Sequence, residues 1–314
     1  MNKLNSQALA NISLDEIEKY VESNRETEEL IYNSQMLKAS VLKELSRTYE
    51  EQAGIQTMFW PKFNEMIGGL REGELTVVFA DTGIGKTTFA MNWCSDLVQG
   101  GHPCMYISLE NPTKQVAKSV MKMITGIYIP MPAKPEHLAA VGKSFDLYGE
   151  NLYFYDETFK ANELNLLKAI YFAKKNYGVK AIYLDHFDRL EITRKSNESK
   201  VDCDTRFLNS FHMFLQRIGV ACVGIVHVAK AGDKGGYNKQ KNRGERQVML
   251  DEIKGSSAYK QVPDMVLGIN RPDIDSNVTK VKLEKIRQEG FGKINESVLF
   301  TMGAGLRFKE ESGV

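Results

Sequence analysis

The sequence predicts an α/β fold: a mostly parallel central sheet flanked by helices, with a helical extension at the N-terminus. Three observations carry that prediction. From Ala53-Gly54 onward, short β-rich runs alternate with stretches of helical apolar spacing. Those runs are almost wholly apolar, which suits strands covered by helices on both faces. Residues 1–50, in contrast, contain neither glycine nor proline and carry helical apolar stripes.

Taken in order, the first element opens at Ser13-Leu14-Asp15-Glu16, where Ser at the N-cap and Glu three residues on form a capping box. Ile17, Tyr20 and Val21 continue at helical spacing, and a second stripe runs through Leu30, Leu37, Val41, Leu42 and Leu45. Acidic residues outnumber basic ones between Ser13 and Glu50, so the exposed face is mildly negative. Two helices with so little core of their own must lean on something, either the same chain's main domain or a neighbouring subunit. Residues 1–52 are therefore read as a helical linker or oligomerisation segment, and 53–314 as the principal domain. Within that domain strands are expected at 75–79, 104–108, 152–155, 181–184, 221–226, 265–269 and 281–286. Helices are expected at 87–98, 113–125, 161–176 and 205–218, and the polar segments 189–204 and 229–247 read as loops.

Composition narrows the function. The 314 residues are 42% hydrophobic and 26% charged, enough for a sizeable core, so wholesale disorder is excluded. No apolar run approaches the length of a membrane span, and residues 1–13 lack a signal-peptide pattern. Cys94, Cys104, Cys203 and Cys222 are scattered without a C-x-x-C pair, which argues against a disulfide framework or structural zinc and for a reducing cytoplasm. The net charge of +1 means that any basic footprint for nucleic acid must be local.

The strand at 75–79 runs into Ala80-Asp81-Thr82-Gly83-Ile84-Gly85-Lys86-Thr87-Thr88, and a helical pattern follows. This is a phosphate loop, G-x-x-x-x-G-K-[ST], with Ala80 in place of the first glycine. Successive backbone N–H groups and the helix N-terminus surround phosphate oxygens, and Gly83 and Gly85 let the backbone turn and approach closely. Lys86 is expected to neutralise the β and γ phosphates and the Thr87 hydroxyl to ligate Mg²⁺. The chain is thus expected to be a P-loop NTPase binding ATP, or another NTP or dNTP, through residues 80–88.

Later strands end in residues suited to the same edge of the sheet, where nucleotides bind in such folds. Met105-Tyr106-Ile107-Ser108-Leu109 ends at Glu110, a candidate general base for the attacking water; a capping or solvent-facing carboxylate is the competing reading. Ala181-Ile182-Tyr183-Leu184-Asp185 has the Walker B form, Asp185 holding Mg²⁺ through water or Thr87. The strand at 221–226 ends in His227, either a packed histidine or a sensor of the γ-phosphate.

In combination these residues resemble the RecA-like motor domain of DnaB-type replicative helicases. Phe63-Asn64-Glu65-Met66-Ile67-Gly68-Gly69-Leu70, Gly73-Glu74-Leu75, the phosphate loop and Ser108-Leu109-Glu110 all fit that family, in which Ala for the first loop glycine is common. Leu184-Asp185-His186 and Val226-His227 are closer to the primase–helicases of short-tailed phages and to the mitochondrial helicase Twinkle. Ile253-Lys254-Gly255-Ser256-Ser257-Ala258, with Gln261-Val262-Pro263-Asp264, resembles the family's fourth motif, and Lys285-Ile286-Arg287 its K-x-R element. The resemblance spans roughly residues 55–308.

It implies a catalytic set of Lys86, Glu110 and His227 in one subunit, with Lys285 and Arg287 reaching the nucleotide of the next, Arg287 as finger. It also implies a homo-oligomer, a hexameric ring, that translocates on single-stranded DNA and unwinds forked duplex. The 1–52 segment then resembles the linker helix that packs on a neighbour. The segment 229–247 holds Lys230, Lys234, Lys239, Lys241, Arg243 and Arg246 against Asp233 and Glu245, with many Gly and Asn residues, and suits single-strand phosphates; an ordinary solvated loop is the competing reading. Arg189, Arg194, Lys195 and Lys200 are weaker candidates for the same role. There is no primase domain and no zinc-binding cysteine set, so a separate primase, polymerase or loader is expected, in the cytoplasm of a bacterial or phage-infected cell. The competing functions are a RecA-type recombination, repair or regulatory DNA-dependent ATPase, and a module that uses ATP only to assemble.

Overall fold

The computed structural model describes residues 33–156, 162–228, 257–273, 276–288 and 290–311. The capping box at Ser13 and the basic segment 229–247 lie outside these. The chain divides into two compact units, Met1–Gln52 and Ala53–Val314.

In the first unit, helix α1 (Ser34–Leu45) and the short α2 (Tyr49–Gln52) are described. Asn33 caps α1, its Oδ1 accepting the Met36 amide at 2.9 Å. Leu37, Val41, Leu42 and Leu45 lie along the helix at the spacing read from the sequence, and all are exposed.

The second unit is built on a nine-stranded sheet. Its strands are β1 (Leu75–Ala80), β2 (Cys104–Ser108), β3 (Leu152–Tyr155), β4 (Ala181–Asp185), β5 (Ala221–His227), β6 (Met265–Asn270), β7 (Val278–Ile286), β8 (Ser297–Met302) and β9 (Phe308–Glu310), in the order β3-β2-β4-β5-β1-β6-β7-β8-β9. The run from β3 to β6 is parallel, and β7, β8 and β9 add antiparallel strands at one edge. The helices are α3 (Pro61–Ile67), α4 (Lys86–Gln99), α5 (Thr113–Thr125), α6 (Pro135–Tyr148), α7 (Glu163–Tyr177), α8 (Lys200–Ile218) and α9 (Ala258–Gln261).

Alternate residues of β1 serve two cores, one on each face of the sheet. Val78 and Ala80 join Phe63, Phe89, Trp93 and Val116 from α3, α4 and α5. Leu75, Val77 and Phe79 join Leu166, Ile170, Phe211 and Leu215 from α7 and α8. The first core holds an aromatic cluster in which Phe63 meets Trp93 at 4.9 Å and Trp60 meets Phe300 at 4.8 Å, edge to face. Asp96 of α4 ties Met58 and Phe59 to this face by accepting both backbone amides. Burial raises its carboxyl to about 6, against the opposing pull of those amides.

The structure differs from the sequence reading at several elements. Helix α8 starts at Lys200, not 205, because Ser199 caps it and accepts the Asp202 amide. The expected loop 189–204 is shortened accordingly, and its first residue belongs to a 3-10 turn, Phe187–Arg189. Helices α3 and α6 and strands β8 and β9 are additional; α6 has Ser144 as its one buried residue, so it leaves almost no apolar stripe to read.

Candidate functional site

The turn between β1 and α4 is shaped by its glycines. Gly83 and Gly85 have φ of 83° and 106°, where a side chain is strained. A Cβ built on either would meet nothing within 4 Å, so the space above this backbone is open. Lys86, the first residue of α4, is buried and folds back over the turn, donating to the Ala80 carbonyl at 2.8 Å and the Asp81 carbonyl at 3.0 Å. Ala80 ends β1 in the core, and Ile84 packs there also. Asp81 and Thr82 span the turn, while the Thr88 carbonyl accepts from Asn92. A helix N-terminus, an open glycine backbone and one lysine charge make a ready site for a polyphosphate.

Parallel pairing brings the other strand ends to the same edge. In register, Ala80 of β1 faces His227 of β5, and Ser108 of β2 faces Asp185 of β4. Thr87 donates its hydroxyl to Asp185 Oδ1 at 3.2 Å, and Tyr106 donates to Asp185 Oδ2 at 3.0 Å. Asp185 is fully buried, and that burial raises its carboxyl above the ordinary range, opposed by the His186 charge and by the Tyr106 and Thr87 hydrogen bonds. A hydroxyl and a buried carboxylate this close form the hard oxygen pair that suits Mg²⁺ beside phosphates, so the residues fit the expected ion.

Glu110 sits just beyond β2. Its Oε1 accepts from Arg189 Nη2 at 2.5 Å, and its Oε2 lies 2.7 Å from His186 Nδ1. The His186 and His227 rings stack at 4.1 Å. Burial lowers the His186 pKa, as does His227, while Asp185 and Glu110 pull it up. Thus Lys86, Thr87, Asp185, Glu110 and His227 gather at one edge. Arg189, offered by the sequence as a weak DNA contact, pairs with the Glu110 carboxylate. Tyr106 and this role of Arg189 escaped the sequence reading, and His186 entered it only as part of the Leu184-Asp185-His186 motif. The signal for His186 was its place directly after the strand-ending Asp185; for Tyr106 none was available, since an apolar strand hides one functional hydroxyl.

Lys285 and Arg287 are not part of this cluster. Met265 of β6 pairs with Ile286 of antiparallel β7, and the Asp264 amide donates to the Leu75 carbonyl at the start of β1. Arg287 therefore lies at the opposite edge of the sheet from the phosphate loop, separated by the length of β1, about 17 Å. Its Nη2 donates to the Gln261 carbonyl at 2.6 Å and its Nη1 lies 3.4 Å from Asp264 Oδ1. Lys285 Nζ donates to the carbonyls of Lys260, Gln261 and Pro263 at 2.7–3.0 Å. Lys230, Lys234, Lys239, Lys241, Arg243 and Arg246 lie outside the described residues.

Comparison with known proteins agrees with this geometry. Residues 45–233 match the family model described as AAA domain. The chain is 24% identical over 255 residues to a DNA helicase/primase of Enterobacteria phage T3, covering 77% of this chain and 44% of that protein. It is 23% identical over 256 residues to the replicative DNA helicase DnaB of Helicobacter pylori, strain 26695, covering 79% of this chain and 49% of that one. The chain thus spans about half the length of these curated relatives. Among solved structures, a DnaB-like replicative helicase superposes with a TM-score of 0.71 at 16% identity, covering 98% of this chain and 74% of that one. An isolated ATPase domain superposes with a TM-score of 0.75 at 15% identity, covering 90% of this chain and 100% of that domain. No described helix is long and apolar enough to cross a membrane.

Proposed function

The chain belongs to the AAA domain family and has the RecA-like fold of DnaB-type motors; on that premise we propose that it is an NTP-driven DNA helicase that works as a ring on single-stranded DNA. The observation that supports the reading is a separation. Lys86, Thr87, Asp185, Glu110 and His227 meet at one sheet edge, while the K-x-R cations stand at the other, about 17 Å away. An arginine that cannot reach its own phosphate loop can serve the loop of a second copy. Such head-to-tail contacts close into rings.

In this reading the loop amides and Lys86 bind the β and γ phosphates of ATP or another nucleoside triphosphate. Thr87 and Asp185 would hold Mg²⁺, which when bound offsets phosphate charge. Glu110 takes the proton of the attacking water on its carboxylate once Arg189 and His186 release it. His227, stacked on His186, reports the nucleotide state to the chain that follows it. That chain carries Lys230, Lys234, Lys239, Lys241, Arg243 and Arg246, which would hold strand phosphates without sequence preference. The apolar stripe of α1 would seat on a neighbouring subunit. A separate primase, polymerase or loader would act beside it.

The test is hydrolysis and strand separation on a forked duplex with varied tails, beside Lys86→Ala. The expected result is NTP hydrolysis stimulated by single strands, tail-dependent unwinding, and loss of both in the folded Lys86→Ala protein. Stimulated hydrolysis without unwinding would move the reading to a recombination, repair or regulatory ATPase. Normal turnover in Lys86→Ala would overturn the phosphate-loop assignment.

A further inference from the structure

We infer that Glu110, His186 and His227 form a binding site for a borderline divalent transition metal of the zinc class, distinct from the Thr87–Asp185 pair. One ligand atom from each of the three lies within 4.8 Å of the other two, the one such group among the described residues. Two imidazoles and one carboxylate are the donor set of open, three-ligand zinc sites, and imidazole nitrogen selects such ions over Mg²⁺.

The second observation is the state of His186. Its side chain is 6% exposed, and Nδ1 lies 2.7 Å from Glu110 Oε2 and 3.2 Å from Asp185 Oδ1. Yet this buried Nδ1 has no aligned hydrogen bond. An ion bound by Nδ1 and Glu110 Oε2 would therefore replace a close N–O contact rather than an aligned hydrogen bond. A tetrahedral ion with bonds of about 2.0–2.2 Å sets its ligand atoms about 3.4 Å apart. The close Glu110–His186 edge must open by less than 1 Å on that scale (~0.7 Å), and the widest edge must close by about 1.4 Å. The His186 and His227 rings, stacked at 4.1 Å with their planes 20° apart, must also turn out of that stack so that both nitrogens face one ion.

The surroundings already resemble a metal's outer shell. Ligating carboxylates are usually hydrogen-bonded through their second oxygen, and Arg189 holds Glu110 Oε1 at 2.5 Å, leaving Oε2 for the ion. A metal there occupies the carboxylate that would otherwise activate water. Binding stands on geometry alone; the consequence, metal inhibition of hydrolysis, rests on the function proposed above.

The experiment is titration of metal-free, full-length protein with Zn²⁺ and, separately, Co²⁺, without nucleotide, read by chelator competition and by visible absorption. We expect one ion per chain and the d–d bands of tetrahedral cobalt with nitrogen and oxygen ligands. His227→Gln and His186→Asn should each weaken zinc binding by more than about 100-fold, beyond what loss of an outer-shell partner costs, while Arg189→Ala weakens it by about 10-fold. Wild-type absorption keeps the test independent of whether His186→Asn folds. No ion bound, an octahedral spectrum, a thiolate charge-transfer band, or zinc affinity unchanged in His227→Gln would each overturn the site. Zinc binding without chelator-reversible inhibition would leave the site standing and overturn its link to hydrolysis.

Discussion

Gly224 lies beneath the turn that carries the strand-ending aspartate. A Cβ at this position of β5 would sit 2.6 Å from Phe187 Cδ2, far inside contact distance. Phe187 is 1% exposed and wedged against Phe207, Phe211 and Tyr259. Gly224→Ala must therefore displace the ring that follows Asp185 and His186. Urea denaturation should show a loss of about 1–3 kcal/mol, the range for overpacked cores. Hydrolysis should fall with it, and Phe187→Leu in the same chain should recover part of both; unchanged stability would contradict the close fit. The phosphate-loop residues were legible in the sequence because their chemistry demands fixed spacing along the chain, and Asp185 because it ends an apolar run. The pairing of Glu110 with Arg189 and His186 was not, since it depends on how neighbouring strand ends converge in space.

At the scale of elements, β7 carries the K-x-R cations to the end of α9. Three carbonyls accept from the Lys285 ammonium. Burial lowers its pKa to about 8, helped by the Arg287 charge and opposed by Asp264. Lys285 is thus charged below pH 8 and loses its proton as the pH rises through it. If its charge serves the neighbouring nucleotide, DNA-stimulated hydrolysis should decline on the alkaline side with a midpoint near 8. Lys285→Arg, charged throughout, should remove that limb whatever its absolute rate. A limb that persists in Lys285→Arg would assign the titration elsewhere. The central parallel strands were readable because nearly all their residues are apolar and buried on both faces, while edge strand β3 buries Leu152 alone. Strand β8, with one alternating face and partial burial, and α6, lying on the surface, leave patterns too weak for sequence reasoning. The early start of α8 was visible only as the Ser199 cap.

At the scale of the whole molecule, residues 53–314 carry two complete cores on one sheet, so they should fold without the preceding segment. Removing residues 1–52 should leave the circular dichroism spectrum of an α/β protein and a cooperative unfolding transition. If the exposed stripe of Leu37, Val41, Leu42 and Leu45 seats on a neighbour, the truncated chain should sediment as a smaller assembly than the full one. An unchanged mass would return that stripe to its own chain.

The proposed division of the site between two sheet edges is tested most directly by mixing subunits. In the proposed roles, Glu110→Gln removes the base but keeps Arg287, and Arg287→Ala removes the finger but keeps the base. Each alone should be nearly inactive in DNA-stimulated hydrolysis. Mixed in equal amounts they should recover activity, because some seams then join an intact Glu110 to an intact Arg287. Activity in the mixture no greater than the average of the two variants, with mixed assemblies verified by mass, would contradict a nucleotide site shared between copies.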